Sequence, residues 1–499
     1  MESPPPDIDT HPFRFDSIIS TPLSKTHVQI EDLRCAEALQ SVKAEQRITA
    51  PTLDSIVCPI LEIPVEITLE IFVHHINGLS VAHHDLPGPL VNLATAKSAG
   101  PLFLSHVCRA WRSISIYTPS FWCCVHAPSS QKKPSDWRKL LECWLPRAGN
   151  CPLYLDLAGK ADPRQTALLF PAIAPYSSRW RSFTCTLQTP SSFSIDSLEG
   201  HIPLLRELSV CEGARNDEIA AVGDVSAFRD APELRQLELQ YFPPSRILIP
   251  WRQLTHLTLY GQRVCHGIDV LYQTPNLEEL SVDLYRCLKS LILYLRPRPV
   301  TLNCVHKLLI PNSLGWAMDY LPYITLPNLI TLNFRSESYV VGDAEALVAL
   351  IVRSQCVVET VTINCHYNSA LLALLGMSGI RQLILPRVTW EPTELAQLFT
   401  LIATDPTFLP HMRSLHLPHC RTVIPYIELT DMLSTRCHAR DSMPRLNSFR
   451  LIRSRGAVDL MPDPTIAARL NTLMKEGLDI RIKRLSKIKS WSEDSDDSD

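Results

Sequence analysis

The sequence predicts an α/β fold, with a helical module near the N-terminus followed by stacked strand-and-helix units that share a parallel sheet. Three observations support this fold class. Short apolar segments with a common pattern recur over most of the chain. Several connectors between them have the spacing of amphipathic helices. Proline is abundant, with 40 residues, whereas glycine is scarce, with 16, and this balance is typical of many short elements separated by chain breaks.

The first 50 residues predict little packed structure. Residues 1–25 are rich in Pro, Ser and Asp, a composition typical of disorder. Residues 26–50 are rich in helix formers, with Ile30, Leu33 and Ala36 three apart, and predict a short helix that Pro51 ends. This helix either packs on its own domain or mediates self-association, and its short length favours packing.

The segment ILEIPVEITLEIFVHHI, residues 60–76, carries two periodicities. Its apolar residues alternate with others at period two, as in a half-buried strand. Polar residues also recur at every fourth position, which would form one stripe along a helix: Glu62, Glu66, Glu70 and His74. Pro64 suits the first turn of a helix, so we predict a helix here. Its apolar residues exceed what a small module can bury, and surplus apolar surface indicates a partner.

A second helical segment follows a variable loop. In PLFLSHVCRAWRSISIYTPSFW, residues 101–122, apolar residues fall three and four apart and predict one helical face: Leu104, Val107, Trp111 and Ile114. Pro101 suits the start of this helix, and Pro119 closes the region.

A weak repeat begins at about residue 149. Six-residue segments with a shared apolar pattern start at 205, 234, 254, 277, 305, 329, 358, 380, 412 and 446, with degenerate members at 153 and 180 and a last predicted strand near 478. By strand alternation, the fourth and sixth positions point inward and the third, fifth and seventh point to the opposite face. Connectors at 342–355 and 391–405 predict helices, so the strands should form a parallel sheet.

The two apolar segments together resemble the F-box, in the form common in mushroom-forming fungi. The matching residues occur in order over 57–122: Ile63-Pro64, Glu66-Ile67, Glu70-Ile71-Phe72, Val107-Cys108-Arg109, Trp111-Arg112, Pro119 and Trp122. The later units are similar to leucine-rich repeats. Ile63 replaces the usual Leu, and only Cys420 matches the Asn or Cys that the family usually has at the ninth position, which predicts irregular repeats.

The resemblance implies a three-helix module that docks the Skp adaptor of a cullin-RING ubiquitin ligase. It also implies an irregular leucine-rich-repeat solenoid with a parallel sheet on its concave face, which holds a protein substrate. The adaptor-facing residues would be Ile63, Pro64, Ile67, Ile71, Val107 and Trp111, although core and interface use the same residue types. The implied organisation is a disordered segment over 1–25, a short helix over 26–50, the F-box over 57–125, a linker over 126–148, the repeat domain over 149–483 and a disordered acidic tail over 484–499.

The exposed face of the predicted sheet runs from acidic to basic. Its candidate substrate-binding residues are Glu238, His256, Tyr260, Glu279, Asp283, Arg335 and Arg450. Such a face either orients a substrate of opposite polarity or is a solvated surface with mixed charges, which is the commoner outcome.

Composition and motifs argue against several functions. The formal net charge is −3, so no basic surplus indicates nucleic acid. The N-terminus lacks the pattern of a secretory signal, and no stretch approaches the roughly 20 apolar residues of a membrane span, so we expect a soluble protein of the cytoplasm, the nucleus or both. Phosphate-loop, nucleophile-elbow and zinc-protease motifs do not occur in the sequence, so we expect neither catalysis nor a cofactor.

The cysteine and histidine patterns only weakly indicate a metal-binding site. The 16 cysteines are scattered without any C-x-x-C pair, and we interpret them as reduced and mostly buried. The cluster formed by His74, His75, His83 and His84 lacks the fixed geometry that a metal site needs, so solvated histidines are favoured and no metal is expected.

Two functions from different classes follow. The leading hypothesis is a substrate receptor of a Skp–cullin–F-box ubiquitin ligase. The alternative is a non-catalytic leucine-rich-repeat scaffold without a role in ubiquitin transfer. Nucleic-acid binding through the basic tract after residue 482 is a third hypothesis, and it predicts steep salt dependence.

Overall fold

The computed structural model describes residues 60, 62–77, 91–92, 100–127, 134–157, 165–187, 195–212, 225–285, 298–313, 317–336, 342–377, 379–438, 445–454 and 462–484. The helix predicted over 26–50, the segment over 1–25 and the tail after residue 484 lie outside these ranges. The chain divides into two compact units, Met1–Ile71 and Phe72–Asp499. In the first unit the description covers Ile60 and residues 62–71.

Helices occur throughout the described residues. They are α1 (Val65–Asn77), α2 (Pro101–Ser105), α3 (Arg109–Ile116), α4 (Pro134–Trp144), α5 (Gln165–Ile173), α6 (Val264–Leu271), α7 (Ala317–Tyr320), α8 (Gly342–Ser354), α9 (Ser369–Leu375), α10 (Pro392–Thr404), α11 (Tyr426–Cys437) and α12 (Pro464–Lys475).

The strands are short and regularly spaced along the chain. They are β1 (Val91–Asn92), β2 (Cys124–His126), β3 (Leu153–Asp156), β4 (Trp180–Leu187), β5 (Glu207–Glu212), β6 (Gln236–Gln240), β7 (His256–Arg263), β8 (Glu279–Tyr285), β9 (Val300–Thr301), β10 (Lys307–Ser313), β11 (Ile324–Thr325), β12 (Thr331–Ser336), β13 (Thr360–Asn364), β14 (Gln382–Ile384), β15 (Ser414–Cys420), β16 (Ser448–Arg453) and β17 (Asp479–Arg484).

One large sheet organises the second unit. Over the described ranges it contains 15 strands in the order of the chain, and β9 pairs separately with β11. Neighbouring strands in both sheets run parallel, as in the pairs β7–β8 and β16–β17. Parallel neighbours need a crossover connection, and helices such as α8 and α10 supply several of them. The predicted α/β class with a parallel sheet is therefore confirmed.

Alternation along the strands also agrees with the prediction. In β5, Leu208 and Val210 are buried, whereas Glu207 and Ser209 are partly exposed. The same alternation holds in strands such as β6, β12 and β13. Every second side chain thus enters the core, and the rest form one polar face.

The two connectors predicted to be helical are α8 and α10. In α10 the Glu391 and Glu394 side chains form a reciprocal capping box, and Pro392 occupies the first helical position. Two N–H groups that a helix start would leave unpaired are thereby satisfied.

Residues 65–77 form the helix α1, so the helical periodicity prevails over the period-two alternation. Phe72 and Ile76 are buried on one side of α1. The Phe72 ring packs edge to face on Trp111, with centroids 4.8 Å apart, and lies 6.4 Å from Phe121. One buried aromatic therefore anchors the helix, and the alternating isoleucines do not form a strand.

The single helix predicted over 101–122 is divided. It consists of α2 and α3, separated by residues 106–108. Cys108 has extended backbone angles, and its Sγ accepts a hydrogen bond from the Trp111 N–H at 3.4 Å. Side-chain capping of this kind starts a new helix, which the apolar spacing alone does not reveal.

Residues 126–148, interpreted from the sequence as a linker, are folded where the structure describes them. Strand β2 ends at His126 and pairs with both β1 and β3. Helix α4 buries Trp137, Leu141 and Trp144, and the Trp144 indole donates to the Trp122 carbonyl oxygen at 3.0 Å. The sheet therefore begins at β1, well before residue 149. Helix α4 belongs to the folded part because its large apolar side chains, three and four apart, are stabilised by burial.

Within the described residues, no helix combines the length and apolar character needed to cross a bilayer.

Candidate functional site

The exposed side of α1 is the first candidate surface. Ile67 and Ile71 lie one helical turn apart and are 53% and 43% exposed. Glu70 and His74 share this side of the helix, and both are also exposed. Two isoleucines held in water within a polar stripe cost free energy unless another molecule covers them.

The start of α1 carries two more of the residues implied as adaptor contacts. Pro64 is exposed, and its carbonyl oxygen accepts the Thr68 N–H at 3.0 Å, which makes it the residue that begins the helix. Ile63 is half-buried one residue before it. Ile63, Ile67 and Ile71 therefore recur every four residues along α1 and its start.

The remaining two implied contacts lie in the second unit and differ from each other. Val107, between α2 and α3, is 52% exposed. Trp111 is only partly exposed and packs on Phe72, and its buried indole N–H has no hydrogen-bond partner within the described part of the chain. Trp111 is thus a packing residue of its own unit, whereas Val107 offers free apolar surface.

The polar face of the large sheet is the second candidate surface. Because the strands are in register, side chains at equivalent positions form rows of neighbours about 4.8 Å apart. One row contains Ser182, Glu207, Gln236, His256, Glu279 and Lys307. The next contains Asp156, Thr184, Ser209, Glu238, Thr258, Ser281 and Leu309.

A groove with a volume of about 420 Å³ follows these rows from β3 to β10. Its lining includes the carboxylates of Asp156, Glu207, Glu238 and Glu279. Hydroxyl groups of Ser182, Thr184, Ser209, Thr258 and Ser281 lie between them. The groove therefore combines negative charge with many hydrogen-bonding groups, which is a surface suited to recognising a peptide rather than a small apolar ligand.

Several groove carboxylates have partners. Glu279 receives the Lys307 ammonium at 2.8 Å and lies 3.7 Å from His256 Nε2. Glu238 accepts hydrogen bonds from the Ser209 hydroxyl at 3.2 Å and from the Gln240 amide at 2.7 Å. These contacts hold the carboxylates in fixed positions on the face.

Tyr260 and Asp283 lie side by side at the far end of β7 and β8. Burial raises the pKa of the Asp283 carboxyl to about 6. The Tyr260 ring packs edge to face on Tyr241 at 5.3 Å. The residue after Tyr260 is Gly261, with φ of +62°, and a Cβ there would lie 2.2 Å from the Tyr241 ring, so only glycine fits.

The strands from β12 to β17 carry the opposite charge. Their polar face carries the exposed Arg450, Arg481 and Lys483 and the partly exposed Arg335, with the partly exposed Asp479 as the acidic residue among them. All seven candidate residues named from the sequence lie on this one face, namely Glu238, His256, Tyr260, Glu279 and Asp283 towards its acidic half and Arg335 and Arg450 towards its basic half.

Asp156 and Arg481 are among the charged residues of the face that were not predicted from the sequence. Asp156 lines the groove, and its carboxylate lies 2.7 Å from His126 Nδ1. Arg481 stands beside Arg450 on the last strand. Both follow the alternation of the degenerate segments LYLDL and LDIRI, so the same rule applied to those segments identifies them.

Neither surface holds an arrangement typical of a metal centre. Over the described ranges, His, Cys, Asp and Glu residues form no group of three or more with metal-binding geometry. His74 and His75 are exposed on α1, whereas His83 and His84 lie outside the described ranges.

No protein-family model matches the chain, and a search of the curated proteins finds no match.

Proposed function

We propose that this chain is a substrate-recognition subunit of a Skp–cullin–F-box ubiquitin ligase. Residues 57–125 act as the F-box and dock the Skp adaptor, and the later units are irregular leucine-rich repeats that bind a protein substrate through a sheet on the concave face. The observation that carries the proposal is the pair of exposed isoleucines, Ile67 and Ile71, on the helix that resembles the first helix of the box.

The energetic argument starts from this apolar surface. An exposed isoleucine gains about 1–2 kcal/mol when a partner covers it, so two neighbouring ones favour a protein contact. Val107 belongs to the segment that resembles the end of the box and is exposed as well. Trp111, which packs on Phe72 and is only partly exposed, offers the adaptor less free apolar surface than Val107 does.

The repeat part of the proposal rests on the sheet. The strands from β3 onwards, most of which include the recurring apolar pattern, each add side chains to the polar rows, and such a face suits a receptor that binds an extended protein segment. The groove between β3 and β10 is the proposed substrate surface. We assign no catalytic role to the chain, and ubiquitin transfer would belong to other subunits.

Co-precipitation of the full chain with a Skp-type adaptor tests the first half. Ile67→Asp should reduce adaptor capture at least tenfold, because it places a charge in the apolar contact. Ile427→Asp is the matched control, since Ile427 is also exposed and lies in the first turn of α11. If the wild-type chain did not bind the adaptor, the proposed role in a ubiquitin ligase would be wrong.

A second measurement distinguishes a substrate receptor of a ubiquitin ligase from a scaffold without a ligase role. Proteins captured by the wild type should accumulate in cells that carry the Ile67→Asp variant, because their degradation would need the adaptor. Unchanged levels of those proteins, together with intact adaptor binding by the wild type, would favour the scaffold without a ligase role.

A further inference from the structure

Three basic side chains stand next to one another at the end of the polar face. His416 on β15 is in register with Arg450 on β16, and Arg450 is in register with Arg481 on β17. Registered neighbours in a sheet are about 4.8 Å apart, so these side chains share one small area of surface. We call these three residues the basic triplet.

Like charges directly opposite each other destabilise a sheet. Among the neighbours of the basic triplet, Asp479 pairs with Arg481, with 3.0 Å between its carboxylate and Arg481 Nε. Arg450 makes no ion pair or hydrogen bond through its side chain within the described part of the chain, and its charge, after burial, contributes to a lowered pKa of His416. The fold thus tolerates an uncompensated arginine at this position.

Hydroxyl groups border the basic triplet on the preceding row. The Ser414 hydroxyl lies 2.8 Å from His416 Nε2 and 2.8 Å from the Ser448 hydroxyl. These contacts fix the imidazole beside Arg450 and offer further hydrogen-bonding groups. A guanidinium beside hydroxyls is a typical receptor for a carboxylate, which it can hold through two parallel hydrogen bonds.

We propose that the basic triplet binds an acidic, extended segment of a partner protein. Side chains two residues apart in an extended segment are about 6.6 Å apart and point the same way, so two acidic residues at this spacing can reach Arg450 and Arg481. This inference deepens the substrate-binding role proposed for the sheet.

The extent of the basic surface favours a short peptide over nucleic acid. The same face carries Asp156, Glu207, Glu238 and Glu279 towards the other end of the sheet. A long polyanion lying across the strands would meet these carboxylates and be repelled, whereas a segment of a few residues contacts the basic triplet alone.

Fluorescence anisotropy with the full chain tests the proposal without the adaptor, so its outcome is independent of adaptor binding. The probe is a labelled seven-residue peptide with Asp at alternate positions, and the control probe carries Asn there. We expect Arg450→Gln and Arg481→Gln each to weaken probe binding at least fivefold. Arg138→Gln, on the exposed surface of α4, removes the same charge and should change binding less than twofold.

Thermal unfolding distinguishes a structural role of Arg450 from a role in peptide binding. Arg450→Gln should leave the thermal midpoint unchanged or raise it, because it removes repulsion from neighbouring positive charge. A lowered midpoint together with weaker binding would overturn the assignment, since Arg450 would then support the fold.

Other outcomes also overturn the proposal. Equal affinity for the Asp and Asn probes excludes charge recognition, and tighter binding of single-stranded RNA than of the Asp probe identifies a polyanion site instead. A phosphoserine probe that binds where the Asp probe does not would replace carboxylate recognition by phosphate recognition. Binding that emerges only when the acidic residues between 493 and 499 are neutralised would identify the chain's own end as the occupant.

Discussion

Arg436 is a single buried charge that links α11 to α10 and to the segment that follows α10. Its guanidinium is fully buried on α11, and it donates to the carbonyl oxygens of Ile402, Phe408 and Leu409 at 2.9, 2.6 and 3.3 Å. Burial lowers its pKa, yet the three carbonyls stabilise the charge in place. Leu409 has a φ of +50°, so the same contact also holds an unfavourable backbone conformation.

Replacing Arg436 by methionine should lower the free energy of unfolding by about 2 kcal/mol or more, because the buried carbonyl groups of Ile402 and Phe408 lose their donor, whereas Leu409 still accepts the Met412 N–H. Chemical unfolding measures this loss. Arg469→Met is the control, since Arg469 pairs with Asp431 at the surface and should cost less than about 1 kcal/mol. Equal losses in the two variants would contradict the role assigned to Arg436.

Asp283 makes stability depend on pH. Burial raises its pKa from 3.8 to about 6, so between these values the folded state binds a proton more tightly than the unfolded chain. The stability that Asp283 contributes is therefore fully present below the unfolded pKa and falls as pH rises through the folded pKa.

The wild type should lose stability as the pH rises from 3.5 to 8, whereas Asp283→Asn should not. The stability of the variant relative to the wild type should therefore increase by about 1 kcal/mol or less over this range. This free energy is smaller than the full pKa shift of Asp283 would correspond to, because the carboxyl is partly exposed and screened by water. Urea unfolding at both pH values measures the gain, with the exposed Asp230→Asn as control. A difference that does not change with pH would contradict the effect of burial on Asp283.

At the scale of elements, the break between α2 and α3 depends on a weak cap. Cys108 uses a sulfur atom to accept the Trp111 N–H, and sulfur is a poor acceptor. Serine has a stronger acceptor and is preferred at this position of a helix.

Cys108→Ser should therefore raise the free energy of unfolding by about 0.5–1 kcal/mol, whereas Cys108→Val should lower it because valine has no acceptor. Thermal unfolding reports both changes. Cys143→Ser on the exposed surface of α4 is the control. If valine and serine gave the same midpoint, the sulfur would have no capping role.

Helix α1 shows what a sequence pattern can and cannot assign. The polar stripe identified a helix, and Pro64 marks its start. The pattern could not separate Phe72, which is 1% exposed, from Ile71, which is 43% exposed. That difference depends on where Trp111 and Phe121 lie around Phe72, which are contacts distant in sequence.

At the scale of the molecule, the sheet has a linear arrangement of contacts. The strands of the large sheet follow one another in chain order, except that β9 and β11 are left out and pair with each other. In such an arrangement stability is set by local units and the interfaces between adjacent ones, so the effects of a substitution should remain local.

Leu383→Ala on β14 tests this local behaviour. Leu383 is fully buried, and its truncation should cost about 2–5 kcal/mol. Hydrogen exchange should show lost protection in β13, β14 and β15, with β4 to β6 unchanged. Ile384→Ala, on the polar face of the same strand, is the control. Uniform loss across the sheet would show that the molecule unfolds as one cooperative unit.

Sequence periodicity alone predicts the strands β3–β8, β10 and β12–β17 with their inward residues, and the helices α1, α8 and α10, because these follow from local periods of two and 3.6 residues. The short strands β1, β2, β9 and β11 were not predicted. The sequence did not predict the helix α4, whose Trp144 is held by Trp122, a residue outside the segment interpreted as a linker. Contacts in the folded chain place Trp111 against Phe72, start a new helix at Cys108 and bring His416, Arg450 and Arg481 together. The physical reason is register: alternation assigns a side chain to a face, but only the pairing of strands distant in sequence decides which charges become neighbours.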